Sequence, residues 1–65
     1  MLSFRTYFEF YVHPYDGEDY KVTCSIEEAK QQLEYLNRRE YIYQVTKIDE
    51  TRLDLTQEQA NEMLK

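Results

Sequence analysis

The chain has sixty-five residues, a formal net charge of −5, one cysteine, one glycine and one proline. A single small domain of this length buries only about 60% of its unfolded surface, so a dense core or self-association has to hold it together. One cysteine excludes an internal disulfide, and no grouping of Cys and His offers a structural zinc site. Ten aromatic rings, three Phe and seven Tyr, are the material left for a core. The acidic balance and scattered Lys and Arg argue against binding nucleic acid directly, because phosphate contacts need a basic stripe.

The first element is a strand over Leu2 to His13 with a period of two. Phe4, Thr6, Phe8, Phe10 and Val12 share one face; Arg5, Tyr7, Glu9, Tyr11 and His13 share the other. Pro14-Tyr15-Asp16-Gly17 marks a turn. A second strand follows over Glu18 to Cys24, with Tyr20, Val22 and Cys24 inward. Paired residues of a hairpin share a face. Of the two short loops, only the three-residue one, Tyr15-Asp16-Gly17, matches the faces. It sets Val12 against Tyr20, Phe10 against Val22 and Phe8 against Cys24. On the outer face it sets His13 against Asp19 and Tyr11 against Lys21. This loop is expected to place Gly17 in the left-handed position of a bulged turn, so Gly17→Val should be strongly destabilising.

Ser25-Ile26-Glu27-Glu28 reads as a capping box that opens a helix. Its apolar stripe is Ile26, Ala29, Leu33 and Leu36; Glu34 and Arg38 pair on the solvent side; Asn37 is the expected left-handed stop. Tyr35 lies off the stripe. A third strand over Glu40 to Ile48 has apolar residues on both faces, which suits a central strand. Either Tyr41, Tyr43 and Val45 or Ile42, Thr46 and Ile48 would face the core. Asp49-Glu50 makes a turn, and Thr51 to Leu55 is a short fourth strand with Leu53 and Leu55 inward. Thr56-Gln57-Glu58-Gln59 is a second capping box, and its helix turns Ala60, Met63 and Leu64 to the body. The fold class is therefore α+β, in the order ββαβ(β)α: one antiparallel-rich sheet with helices packed on one face.

No run of apolar residues is long enough to span a membrane, and Arg5 and Glu9 interrupt any signal-peptide core. With a lone thiol, this points to a cytoplasmic protein. His13, Asp16, Glu18 and Asp19 sit together in sequence, but the turn is too short to wrap a cation and lacks a calcium-loop spacing. Cys24 stands beside a helix start yet points inward, and His13 is at the far end of the hairpin, so no nucleophile and base come together. One glycine rules out a phosphate-cradling loop. No catalytic residue, metal or cofactor is predicted.

What remains is a surface. Tyr7 and Tyr11, with Arg5 and Lys21 and one of Tyr41 or Tyr43, make a candidate recognition face on the open side of the sheet; Tyr35 is a further exposed tyrosine. Asp54, Glu58 and Glu62, spaced by four, make a candidate acidic ridge for a basic partner surface. In size, acidity and tyrosine content the chain resembles the small accessory proteins of phages and mobile elements, including anti-CRISPR and other anti-defence proteins; this is a resemblance of type that covers no particular residues. The leading expectation is a non-enzymatic protein-binding module that inhibits its target by occlusion. The alternative is a homo-oligomer, such as a homodimer, binding a small anionic ligand such as a nucleotide through Tyr rings and Arg5, Arg38, Arg39 or Lys21. A structural or designed domain without a ligand is a third.

Overall fold

The computed structural model describes residues 5–64. In chain order they form β1 (Tyr7–His13), β2 (Tyr20–Ser25), α1 (Ile26–Arg38), β3 (Ile42–Ile48), β4 (Arg52–Leu55) and α2 (Gln57–Met63). The sheet order is β2-β1-β3-β4, and every neighbouring pair is antiparallel. The expected α+β order is therefore found, with the optional fourth strand present. Leu2, Ser3 and Phe4 of the expected first strand lie outside the described residues; Arg5 and Thr6 precede β1.

The alternation in β1 decides the layering. Phe8, Phe10 and Val12 are completely buried, whereas Tyr7, Tyr11 and His13 on the opposite face are exposed. The hairpin register is the one the faces demand: Phe8 pairs with Cys24, Phe10 with Val22, Tyr11 with Lys21 and Val12 with Tyr20. β1 also pairs with β3, setting Phe10 against Val45 and Val12 against Tyr43. Tyr43 and Val45 therefore join the core face, and Tyr41 just before the strand is buried too. This settles the ambiguous third strand and removes Tyr41 and Tyr43 from the open face. Both helices lie on the core side: Ala29, Leu33 and Leu36 of α1 and Ala60 and Leu64 at α2 belong to the same apolar cluster as the strands. Burying each of the larger of these side chains, such as Phe10, Leu33 or Leu36, contributes about 1.5–3 kcal/mol.

Both capping boxes form. The Ser25 hydroxyl accepts from the Glu28 amide at 3.3 Å while Glu28 accepts from the Ser25 amide at 2.9 Å. Thr56 and Gln59 do the same at 3.1 and 3.0 Å. Leu55 and Ala60, both buried, flank the second box where an apolar staple belongs.

Two turn expectations are corrected. Gly17 does not adopt a positive φ, and a Cβ placed on it would meet only Pro14 Cγ at 3.9 Å. The hairpin end is held by side chains instead: His13 Nδ1 meets Asp19 at 2.9 Å, and Asp16 is drawn away to Tyr41 and Arg39. Nor does Asn37 stop α1. The helix runs on to Arg38, Arg39 caps it, and Glu40 takes the left-handed conformation at φ 57°. The Tyr41 amide then donates to the Leu36 carbonyl at 3.1 Å and the Glu40 amide to that of Asn37 at 3.2 Å. That pair of bonds is a Schellman stop, and the buried Leu36 and Tyr41 make its apolar contact.

Of the residues expected to face inward, Val22 and Ile26 are partly buried and three more are exposed. Tyr20 and Leu53 occupy core-facing positions on the two edge strands, and Met63 lies in the last turn of α2; all three are more than a third exposed. Among the described residues, no further layer of chain closes over the sheet edges or the end of the short helix.

Candidate functional site

Because both helices lie on one side of the sheet, the other side is left open among the described residues. Side-chain alternation places Tyr7, Glu9, Tyr11 and His13 of β1 on it, with Lys21 and Thr23 of β2, Ile42, Gln44, Thr46 and Ile48 of β3, and Arg52 and Asp54 of β4. Tyr7 is 39% exposed, Tyr11 37% and Ile42 66%. These are the large apolar groups the face presents to solvent.

Glu9 lies at the centre of that face. Its carboxylate meets Arg52 Nη2 at 3.1 Å and Lys21 Nζ at 3.7 Å. Arg52 belongs to β4, and β3 lies between β4 and β1. Its side chain must therefore cross β3 to reach Glu9. Thr46 and Ile48 are buried on this otherwise exposed face. Thr46 also donates its hydroxyl to Asp54 at 3.0 Å. Lys21 in turn stands 6.0 Å from the centre of the Tyr11 ring. The face is thus a charged clasp bordered by tyrosines. Beside it, where β4 ends at Leu55 and β3 continues unaccompanied, a groove of about 530 Å³ opens between Tyr11, Gln44, Thr46, Arg52 and Asp54.

A second cluster joins the hairpin turn, the end of α1 and the start of β3. The Tyr41 hydroxyl donates to Asp16 at 2.7 Å and accepts from Arg39 Nε at 2.9 Å. The Arg39 guanidinium lies 5.3 Å from the Tyr41 ring centre and 5.6 Å from that of Tyr35. Tyr15 meets Tyr41 edge-on at 5.2 Å. The hydrogen bond from Tyr41 holds the Asp16 carboxyl below its ordinary value, with further help from its own backbone amide and Arg39. The same bond, with burial, pushes the Tyr41 phenol up. Arg39 is held more firmly protonated, first through its bond to Tyr41.

The residues expected to bind a partner fall in three places. Tyr7, Tyr11 and Lys21 share the open face, with exposed Arg5 just ahead of β1. Tyr35 belongs to the Arg39 cluster and not to that face. Asp54, Glu58 and Glu62 border one groove on the helix side, although the Asp54 carboxylate itself turns to Thr46 on the open face. The sequence reading missed Glu9 and Arg52 as the centre of the face. Strand order was the missing signal, since nothing local says that residues 43 positions apart will meet. It also missed the Arg39–Tyr41–Asp16 cluster, which depends on where α1 stops.

Among the described residues, no set of three or more His, Cys, Asp and Glu converges to hold a metal, and no helix is long and apolar enough to cross a membrane. Asp16 faces Arg39 while His13 faces Asp19, so the acids of the turn do not gather on one point. Cys24 lies in the core, its thiol pushed up by burial and secondarily by Glu28. The chain matches no family model, no curated protein and no solved structure.

Proposed function

We propose that this chain is a non-enzymatic protein-binding module that works by covering a surface of its target, as a small cytoplasmic inhibitor of the phage or mobile-element accessory type would. The observation that carries the reading is the sheet face, open among the described residues, with Tyr7 and Tyr11 on either side of the Glu9–Arg52–Lys21 clasp. Half-exposed tyrosines held on a rigid strand lose little entropy on binding, and Tyr and Arg are enriched among the residues that dominate interface energy. Charges already fixed in a clasp give such a face a register for its partner. The single thiol suits a reducing compartment. For the anionic-ligand alternative there is less support, because Lys21, Arg38 and Arg39 each already face a carboxylate.

The test is capture of a protein partner from a cell extract by the tagged chain, repeated with Tyr7→Ser and Tyr11→Ser together. Both residues are exposed, so circular dichroism and the melting temperature should change little. Loss of the captured protein with the fold intact supports the reading. Capture that is indifferent to both tyrosines overturns the assignment of this face.

A further inference from the structure

The side of β4 that faces away from the tyrosines carries a second surface. Strand alternation sends Asp54 to the open face and Leu53 to the helix side. There Leu53, 45% exposed, and Met63, 37% exposed, line a groove of about 540 Å³ between β4 and α2. Leu55 closes its inner wall, and Glu58, Gln59 and Glu62 of α2 stand along it. The volume is within the range of about 300–1,000 Å³ typical of sites that take a ligand or an anchoring side chain. Both apolar residues occupy positions whose pattern directs them inward, yet no part of the described chain covers them.

We infer that this groove docks a basic amphipathic segment of a protein partner: one or two large apolar side chains seated on Leu53 and Met63, flanked by Lys or Arg facing Glu58 and Glu62. The inference goes beyond the tyrosine face and rests on the proposed function only for the kind of partner. Charge complementarity chooses the occupant. The α2 helix presents Glu58 and Glu62 beside the groove, with no basic residue in its last turn, and Glu58 forms no ion pair among the described residues. Such a rim repels an anionic lipid surface and an acidic segment alike. Against a second copy of this acidic chain it also works the wrong way, since equal grooves would bring equal charges together. A helix with apolar anchors at i and i+3 or i+4 matches the two exposed side chains and the neighbouring acids.

The experiment uses the full chain and a fluorescein-labelled Leu/Lys amphipathic peptide of about 15 residues, read by fluorescence anisotropy. Binding in the micromolar range is expected, weakening as salt is raised. Leu53→Ser removes no charge and should weaken binding by about tenfold or more. Glu58→Arg, on the exposed side of α2, should do the same and guards against a Leu53 variant that fails to fold. A control peptide with Glu in place of Lys should not bind. Tyr7→Ser with Tyr11→Ser should leave the Leu/Lys peptide bound, so failure of the tyrosine face and failure of the groove are separately visible. Peptide binding unchanged by Leu53→Ser would overturn the inference, showing diffuse attraction to an acidic surface. So would light scattering that finds a dimer broken by Leu53→Ser, which would make a second copy the occupant.

Discussion

The Asn37 side-chain amide donates a 2.7 Å hydrogen bond to the Asn61 side-chain carbonyl, joining the two helices across twenty-four residues of chain. Asn61 donates to the Tyr43 hydroxyl at 2.9 Å, and Tyr43 donates to Asn37 at 2.8 Å, closing a ring of three. Asn61 also reaches the Gln57 carbonyl, which anchors it to its own helix. Tyr43 is almost fully buried on an inner strand, and its hydroxyl both donates and accepts within this ring. Tyr43→Phe keeps the packed ring and removes the hydroxyl; it is expected to cost about 1–2 kcal/mol. Asn61→Ala should cost a similar amount, and the double variant less than the sum, because both act on one network. Urea unfolding of the three variants measures this, and full additivity would show that the ring does not act as a unit.

The Asp16–Tyr41 bond gives stability a dependence on pH at both extremes. The Asp16 carboxyl sits below its ordinary value of 3.8, so its contribution is complete above that pH and is lost as pH falls through the folded value. The Tyr41 phenol sits above its ordinary 10.0, so its contribution is complete below that pH and is lost as pH rises through the folded value. Tyr41→Phe should therefore lower the melting temperature by a few degrees across neutral pH. The gap to the unaltered chain should narrow below about pH 4 and above about pH 10. Asp16 and Arg39 are nearly half-exposed, so added salt should weaken their pair. A gap constant from acid to alkali would show that the bond does not couple to folding.

Glycine stands where the backbone does not need it, and a glutamate where it does. Gly17 has an ordinary φ and open space around it, whereas Glu40 is held at φ 57°. Gly17→Ala should be neutral or stabilise by up to about 1 kcal/mol by restricting the unfolded chain. Glu40→Gly should stabilise by about 0.5–1 kcal/mol by relieving the left-handed strain. Urea midpoints decide both, and a destabilised Glu40→Gly would mean that its side chain contributes more than its backbone costs.

Local signals carried much of this fold in the sequence itself. The period of two in Phe8-Phe10-Val12, the apolar stripe of α1 and the two capping boxes each depend on residues a few positions apart, and all are found. The hairpin register followed from matching faces, even though the turn chemistry assumed for Gly17 is not used. What could not be read locally is what the long-range pairings create. Arg52 reaches Glu9 because β3 inserts between β4 and β1, and Tyr43 turns inward because it pairs with Val12. The candidate face was legible in Tyr7 and Tyr11, while its charged centre had to wait for the strand order.

Cys24 tests the layering from the inside. It lies opposite Phe8 on the core face, nearly out of reach of solvent, and burial raises its thiol above the ordinary 9.0 with a smaller contribution from Glu28. The thiolate is the reactive form, so both access and ionisation oppose attack. A thiol reagent such as dithionitrobenzoate at neutral pH should label the folded chain orders of magnitude more slowly than the chain in urea. The labelling rate should rise with urea in step with unfolding, because the thiol is reached only when the β1–β2 layer opens. The Tyr43→Phe variant, with its weaker core, should label faster than the unaltered chain by the factor its stability loss predicts, about tenfold for each 1.4 kcal/mol. Fast labelling under native conditions would place Cys24 outside the core and invert the assignment of the β2 faces.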